Sequence, residues 1–181
     1  MKYGLIKDSH FYEWLIDKMY EICERDADTL VEMVTRSCTV KKLVVEKDPT
    51  EQGERALLNL GHTIGHAIEK AKEFKLYHGE CVALGTVAAA YISWKKEMLS
   101  MEEYYEIRDM FVPFYLPISV DDIDPEEILR LTKSDKKMSG GKIRFVLLKK
   151  IGKAVIDNTV TDEEILSAVN EIYFSEEDSH E

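Results

Sequence analysis

From Gly79 or Glu80 to Met98 the sequence is apolar almost all the way round a helix, and no other feature constrains the fold as strongly. A helix with one apolar stripe can lie on a surface, whereas one that is apolar on every side has to be enclosed by other elements. The pattern predicts a central helix with neighbours wrapped around it. Its longest apolar run, Cys81 to Trp94, is interrupted by Gly85, Thr86 and Ser93 and falls short of the ~18 residues that a membrane span needs. It therefore reads as protein core, with no membrane partner. A length of 181 residues suits one domain built around such a core.

The neighbours are legible from spacing and punctuation. Only 4 prolines and 9 glycines occur, so long helices are expected. Phe11 to Glu24 keeps helical spacing, with Asp8 or Ser9 placed to cap it. Asp26 or Asp28 opens a second helix that ends at Asp48-Pro49-Thr50, because proline restricts the residue before it and cannot continue a helix. Glu54 to Phe74 reads as a third helix, and Met101 to about Phe111 follows the central one. Pro113 and Pro117 predict an extended crossing. Asp124-Pro125-Glu126-Glu127 starts a helix to Lys133, and Thr161-Asp162-Glu163-Glu164 starts a last one to Tyr173. One β signal stands out: Lys142 to Leu148 and Ala154 to Ile156, separated by Lys149-Lys150-Ile151-Gly152. The expected fold is mainly α, a multihelical bundle with one small β-hairpin. Residues 1–174 form a single domain and residues 175–181 an acidic tail.

Charge and cysteine usage narrow the function classes. A net charge of −11 argues against nucleic acid as partner, which would need a basic face. Cys23, Cys38 and Cys81 are odd in number, far apart and in no CxxC pair, which suits a reducing cytoplasm. No secretory signal opens the chain, and neither GxGxxG nor GxxxxGK[ST] occurs.

Three of the five histidines, His62, His66 and His78, fall within a few turns of one another. If Glu54 to Phe74 is one helix, then Arg55, Asn59, His62 and His66 sit at i, i+4, i+7 and i+11. At about 100° per residue they point within roughly 60° of each other. Glu51 extends the stripe if the helix begins early. The opposite face carries Leu57, Leu60, Ile64, Ala67 and Ile68. A solvated stripe in so charged a chain should be rich in Glu and Lys, as it becomes at Glu69-Lys70-Lys72-Glu73. Arg, Asn and two His are specific hydrogen-bonding and ligating groups instead. Gly61 and Gly65, beside the stripe, leave room for a close-packed helix or for a ligand.

His62 and His66 have the i, i+4 spacing of zinc peptidases, but Thr63 stands where that motif has its glutamate. His78 enters from the mouth of the central helix, and a third imidazole from a neighbouring element is how an open catalytic metal site is assembled. Spacing alone leaves open which pair ligates. Lys136 and Lys137 precede a glycine turn that opens a strand, a suitable place to meet a phosphate or carboxylate.

These motifs resemble one family closely. Lys41-x3-Val45-x2-Asp48-x4-Gly53-x-Arg55, the run Leu58 to Glu69 (LNLGHTIGHAIE) and His78-Gly79-Glu80-Cys81-Val82-Ala83 are similar to 3-dehydroquinate synthase. So are Asp135-Lys136-Lys137, Arg144 to Leu148 and Ile151-Gly152, while Lys2-Tyr3-Gly4-Leu5-Ile6 resembles the end of the family's AEVIKYG segment. The likeness runs from residue 2 to about 157 and covers the family's C-terminal helical half.

The resemblance implies conversion of 3-deoxy-D-arabino-heptulosonate 7-phosphate to 3-dehydroquinate and phosphate in the shikimate pathway, with catalytic NAD and Zn2+ or Co2+. It implies His62 and His78 as metal ligands and His66 as a proton-relay group. Lys41 and Lys2 also belong to the catalytic pocket, with Arg55, Asn59, Glu51 and one of Lys136 and Lys137 serving the sugar phosphate. The family's third metal ligand, the glutamate of AEVIKYG, lies three residues before the position of Lys2. The NAD-binding half is likewise the family's N-terminal one. The expectation is that this chain by itself binds no NAD and turns nothing over, that it works with an N-terminal half, and that the complete enzyme is a homodimer. Other sugar-phosphate cyclases and the helical domain of iron-type alcohol or glycerol dehydrogenases are the alternatives within this architecture. A non-catalytic helical interaction module is the alternative outside it.

Overall fold

The computed structural model describes residues 1–50, 53–134, 138–139 and 142–174. Its helices are α1 (Lys2–Lys7), α2 (Ser9–Asp17), α3 (Met19–Cys23), α4 (Ala27–Lys47), α5 (His62–Ala71), α6 (His78–Lys95), α7 (Met101–Asp109), α8 (Pro125–Ser134) and α9 (Asp162–Ile172). The strands are β1 (Met138–Ser139), β2 (Lys142–Ile143), β3 (Phe145–Lys150) and β4 (Lys153–Asp157). None of the described helices is long and apolar enough to cross a membrane.

The expected central helix is α6, buried without interruption from Ala83 to Ser93. It packs against α5, α7, α9 and β3, so each face of its apolar surface finds a partner. Ser93 is a polar residue buried inside this core. Its hydroxyl donates to the Ala89 carbonyl at 2.6 Å and accepts from the Leu148 amide at 2.9 Å. Both capacities are used, and the bond pins the hairpin to the central helix.

Several helix starts follow their side-chain caps. Asp8 accepts from the Phe11 amide and Asp26 from the Thr29 amide. Ser100 and Thr161 each accept from the amide three residues on, while Glu103 and Glu164 reach back to the cap, the reciprocal box that satisfies two orphan donors. The bundle is mainly α, as expected, and carries the β3–β4 hairpin, which turns at Gly152 in the left-handed region (φ 82°). The Gly152 amide donates to the Leu5 carbonyl at 2.9 Å, fastening the turn to α1.

Four local expectations need correction. Phe11 to Glu24 is two helices, α2 and α3, broken at Lys18; α3 turns away to meet the Val112–Phe114 turn, where the Cys23 thiol donates to the Pro113 carbonyl at 3.1 Å. Glu54 to Phe74 is a 3₁₀ turn (Glu54–Asn59), a left-handed Gly61 (φ 78°) and then α5. The crossing after Phe111 starts with a 3₁₀ turn (Val112–Phe114) that closes on a left-handed Tyr115. It then runs to Val120, which bridges in parallel to Tyr173. Lys142 to Leu148 is interrupted at Arg144, so that β2 pairs with β1 in a second, two-residue ladder instead of extending the hairpin. Lys2 to Lys7, for which the sequence carried no expectation, is the helix α1, and Gly4 lets it sit directly on α2 at Tyr12. The acidic tail lies outside the described residues.

Candidate metal centre

The break at Gly61 creates the site. The carboxylate of Asp48 accepts from the Gly53 amide at 2.8 Å and the Arg55 amide at 3.0 Å, which holds the loop after α4 and starts the 3₁₀ turn. That turn ends at Asn59, and after Leu60 the left-handed Gly61 redirects the chain so that His62 is the first residue of α5.

The glycines explain why α5 and α6 come so close. A Cβ on Gly65 would sit 2.7 Å from the Cys81 carbonyl, one on Gly61 would sit 2.5 Å from that of Val82, and one on Gly85 would meet the Gly65 amide at 2.7 Å. Gly61 and Gly65 thus serve helix packing, which was one of the two uses open to them. The close contact also brings His78, the first residue of α6, to the face of α5 that carries His62 and His66.

The three imidazoles converge: each offers a ligand atom, and these atoms all lie within 4.8 Å of one another. Ring centroids are 5.2 Å apart for His62–His66, 5.4 Å for His62–His78 and 5.7 Å for His66–His78. Nδ1 of His62 lies 3.0 Å from the Leu60 carbonyl, and Nδ1 of His78 lies 3.4 Å from Glu69 Oε2. In each ring an acceptor at Nδ1 leaves Nε2 as the ligating nitrogen. Imidazoles from two elements are a donor set that zinc and cobalt(II) accept, so the residues present fit such an ion. Burial pushes the Cys81 thiol up to about 11, with Glu69 and Glu80 adding to the shift. It stays protonated near neutral pH when no ion is bound.

The other expected residues group less tightly. Lys2 on α1 and Lys41 on α4 lie close enough to repel: burial lowers the Lys2 ammonium from its usual range, and the charge of Lys41 lowers it further. Both helices meet the 3₁₀ turn that carries Arg55 and Asn59 and leads into His62. Arg55 does not share one helical stripe with the histidines. It belongs to the preceding turn, and its Nη1 donates to the Pro49 carbonyl at 2.6 Å. Asn59, half-buried, is the last residue of that turn. Glu51, Lys136 and Lys137 lie outside the described residues.

Sequence reading missed Glu69, assigning it to the solvated end of its helix. The signal was available in its spacing, since Glu69 follows His62 and His66 at i+7 and i+3 and so shares their face. Only 19 % of its side chain is exposed.

Comparison with known proteins places these features. Residues 1–138 match the family model described as 3-dehydroquinate synthase C-terminal. The chain is 44 % identical over 157 residues to the 3-dehydroquinate synthase of Nitrosospira multiformis, covering 86 % of this chain and 43 % of that protein. It is 38 % identical over 169 residues to that of Acetivibrio thermocellus, covering 93 % and 47 %. The chain thus spans less than half the length of these curated relatives. Among solved structures, a 2-epi-5-epi-valiolone synthase from Streptomyces hygroscopicus subsp. jinggangensis 5008, with NAD+ and Zn2+ bound, superposes with a TM-score of 0.85 at 22 % identity, over 94 % of this chain and 48 % of that one. A 2-deoxy-scyllo-inosose synthase complexed with carbaglucose-6-phosphate, NAD+ and Co2+ gives 0.68 at 24 % identity, over 80 % and 41 %. These two likenesses concern the fold.

Proposed function

The chain belongs to the 3-dehydroquinate synthase family, as its C-terminal part, and on that premise we propose that it supplies the metal- and substrate-binding half of an enzyme converting 3-deoxy-D-arabino-heptulosonate 7-phosphate to 3-dehydroquinate and phosphate. The observation that carries the proposal is the convergence of His62, His66 and His78 from two helices onto one point. In this reading His62 and His78 hold Zn2+ or Co2+ through Nε2, and His66 moves protons beside them. When bound, NAD supplies reversible hydride transfer and the ion polarises the hydroxyl that is oxidised.

The basic residues take the anionic parts of the substrate. Lys2 and Lys41, close enough for the charge of Lys41 to lower the Lys2 ammonium, are stabilised by an arriving phosphate or carboxylate. Arg55 offers further donors by exchanging the Pro49 carbonyl for an anion, and Asn59 hydrogen-bonds hydroxyls. Glu51 and one of Lys136 and Lys137 complete the set by their place in the family motif. Cations fixed where charge grows on departing phosphate lower the barrier to its loss. This basic set favours a phosphorylated substrate over the simple alcohol of an iron-type dehydrogenase.

In this reading the partner is an NAD-binding N-terminal half. It has an apolar surface to cover on α4, where Val31, Val34 and Leu43 are exposed on the same helix as Lys41. We place the complete enzyme in the cytoplasm as a homodimer.

The test joins this chain to the NAD-binding half of the Nitrosospira relative and follows phosphate release from the sugar phosphate. Release that depends on NAD and falls by at least 100-fold in both His62→Ala and His78→Ala is the expected outcome, on the order of the loss of a metal-assisted step. Release that survives both substitutions contradicts the proposal.

A further inference from the structure

Glu69 is the feature that the proposed chemistry leaves unused. It sits on the histidine-bearing face of α5, its side chain is largely buried, and its Oε2 lies 3.4 Å from Nδ1 of His78. Its backbone is fixed as well: the Phe74 amide donates to the Glu69 carbonyl at 2.9 Å, closing the end of α5 across a left-handed Glu73. His78 is held from its own side, since the Tyr77 amide just before it donates to the Glu80 carboxylate at 2.7 Å. Two helix ends therefore present a carboxylate to Nδ1 of an imidazole that belongs to the histidine cluster.

We infer that Glu69 is a positioning residue for His78: it accepts the Nδ1 proton, fixes the Nε2-ligating tautomer and turns Nε2 toward His62 and His66. The inference rests on the reading of this cluster as a metal centre. His62 has the same arrangement with a different acceptor, the Leu60 carbonyl at 3.0 Å. The two rings thus enter the site already oriented, one by main chain and one by Glu69. The half-exposed His78 needs the help more, because 55 % of its side chain faces solvent and no enclosing core restrains its χ angles. A carboxylate behind a ligating histidine fixes its ring orientation, as in carboxylate–histidine–zinc arrangements.

The test uses the whole chain with Glu69→Ala, Glu69→Gln and His78→Ala, and combines two measurements. Cobalt(II) titration followed by visible absorbance reads affinity, and 15N-detected imidazole correlations on the metal-free chain read the His78 tautomer. Loss of an outer-shell partner typically weakens metal binding by about 10–100-fold, and that range is expected for Glu69→Ala. Glu69→Gln, which keeps an acceptor oxygen, should recover part of the loss, and His78→Ala should lose the His78-dependent bands. In the metal-free chain, His78 should favour Nδ1–H in wild type and become a tautomer mixture in Glu69→Ala, with the thermal midpoint unchanged. A Glu69→Ala variant that keeps both wild-type cobalt affinity and the wild-type tautomer overturns the inference. If wild type itself binds no cobalt, the metal reading fails, and the tautomer measurement alone decides whether Glu69 orients His78.

Discussion

At the scale of single residues, the site contrasts groups held by partners with groups held apart from them. His62 and His78 each have an acceptor behind Nδ1, whereas Lys2 and Lys41 face each other as like charges. Burial is the larger cause of the depressed Lys2 value and Lys41 the smaller, so Lys41→Met should raise the Lys2 pKa only part of the way to its ordinary range. 13C-NMR of the Lys2 ε-carbon across a pH titration reads this directly; an unchanged Lys2 midpoint would refute the pairing. The sign for stability follows. A lysine whose folded pKa is depressed binds fewer protons in the native state than in the unfolded one between the two values. Its penalty is therefore felt below that window and relieved as pH rises through it. The histidines were legible from composition, because two imidazoles and an amide make a poor solvated face in a chain this rich in carboxylates and lysines. Glu69 was not, because the same composition that made the histidines conspicuous made a glutamate look ordinary.

At the scale of elements, the contact of α5 with α6 decides the geometry. Three glycines line it, and only the absence of their side chains lets His78 reach the other two imidazoles. Gly85→Ala forces a methyl group against main-chain atoms of α5, so the helices must separate. Overpacking of this kind costs about 1–3 kcal/mol, occasionally more. Urea denaturation should show a loss in that range together with weaker cobalt(II) binding, and a variant as stable as wild type would contradict the packing account. The caps at Asp8, Asp26, Ser100 and Thr161 are local interactions written within four residues, and the helix starts at Asp8, Asp26 and Thr161 were readable for that reason. The break at Gly61 was not readable. A 3₁₀ turn followed by a helix keeps nearly the same apolar spacing as one continuous helix, and the need for a glycine there lies across the interface, where a Cβ would strike Val82 and Thr86. The lost register matters functionally, because it moves Arg55 off the histidine face and onto the turn before it.

At the scale of the whole molecule, one buried helix organises everything else. The apolar run of α6 announced a central element before any neighbour was known, and its surroundings of α5, α7, α9 and β3 bear that out. The hairpin was visible as two β-branched runs, but the second small ladder was not, since two-residue strands leave no periodic trace. Against a net charge of −11, the proposed pocket gathers Lys2, Lys41 and Arg55 close to a metal site. That local reversal of sign is what recognition of a doubly anionic sugar phosphate requires. The central claim is that the junction of α5 and α6 holds a metal ion. Its most direct test is anomalous diffraction at the zinc edge from crystals of this chain grown with zinc. The account predicts one strong peak within bonding distance of Nε2 of both His62 and His78. A peak elsewhere, or no peak between these two imidazoles at saturating zinc, would contradict it.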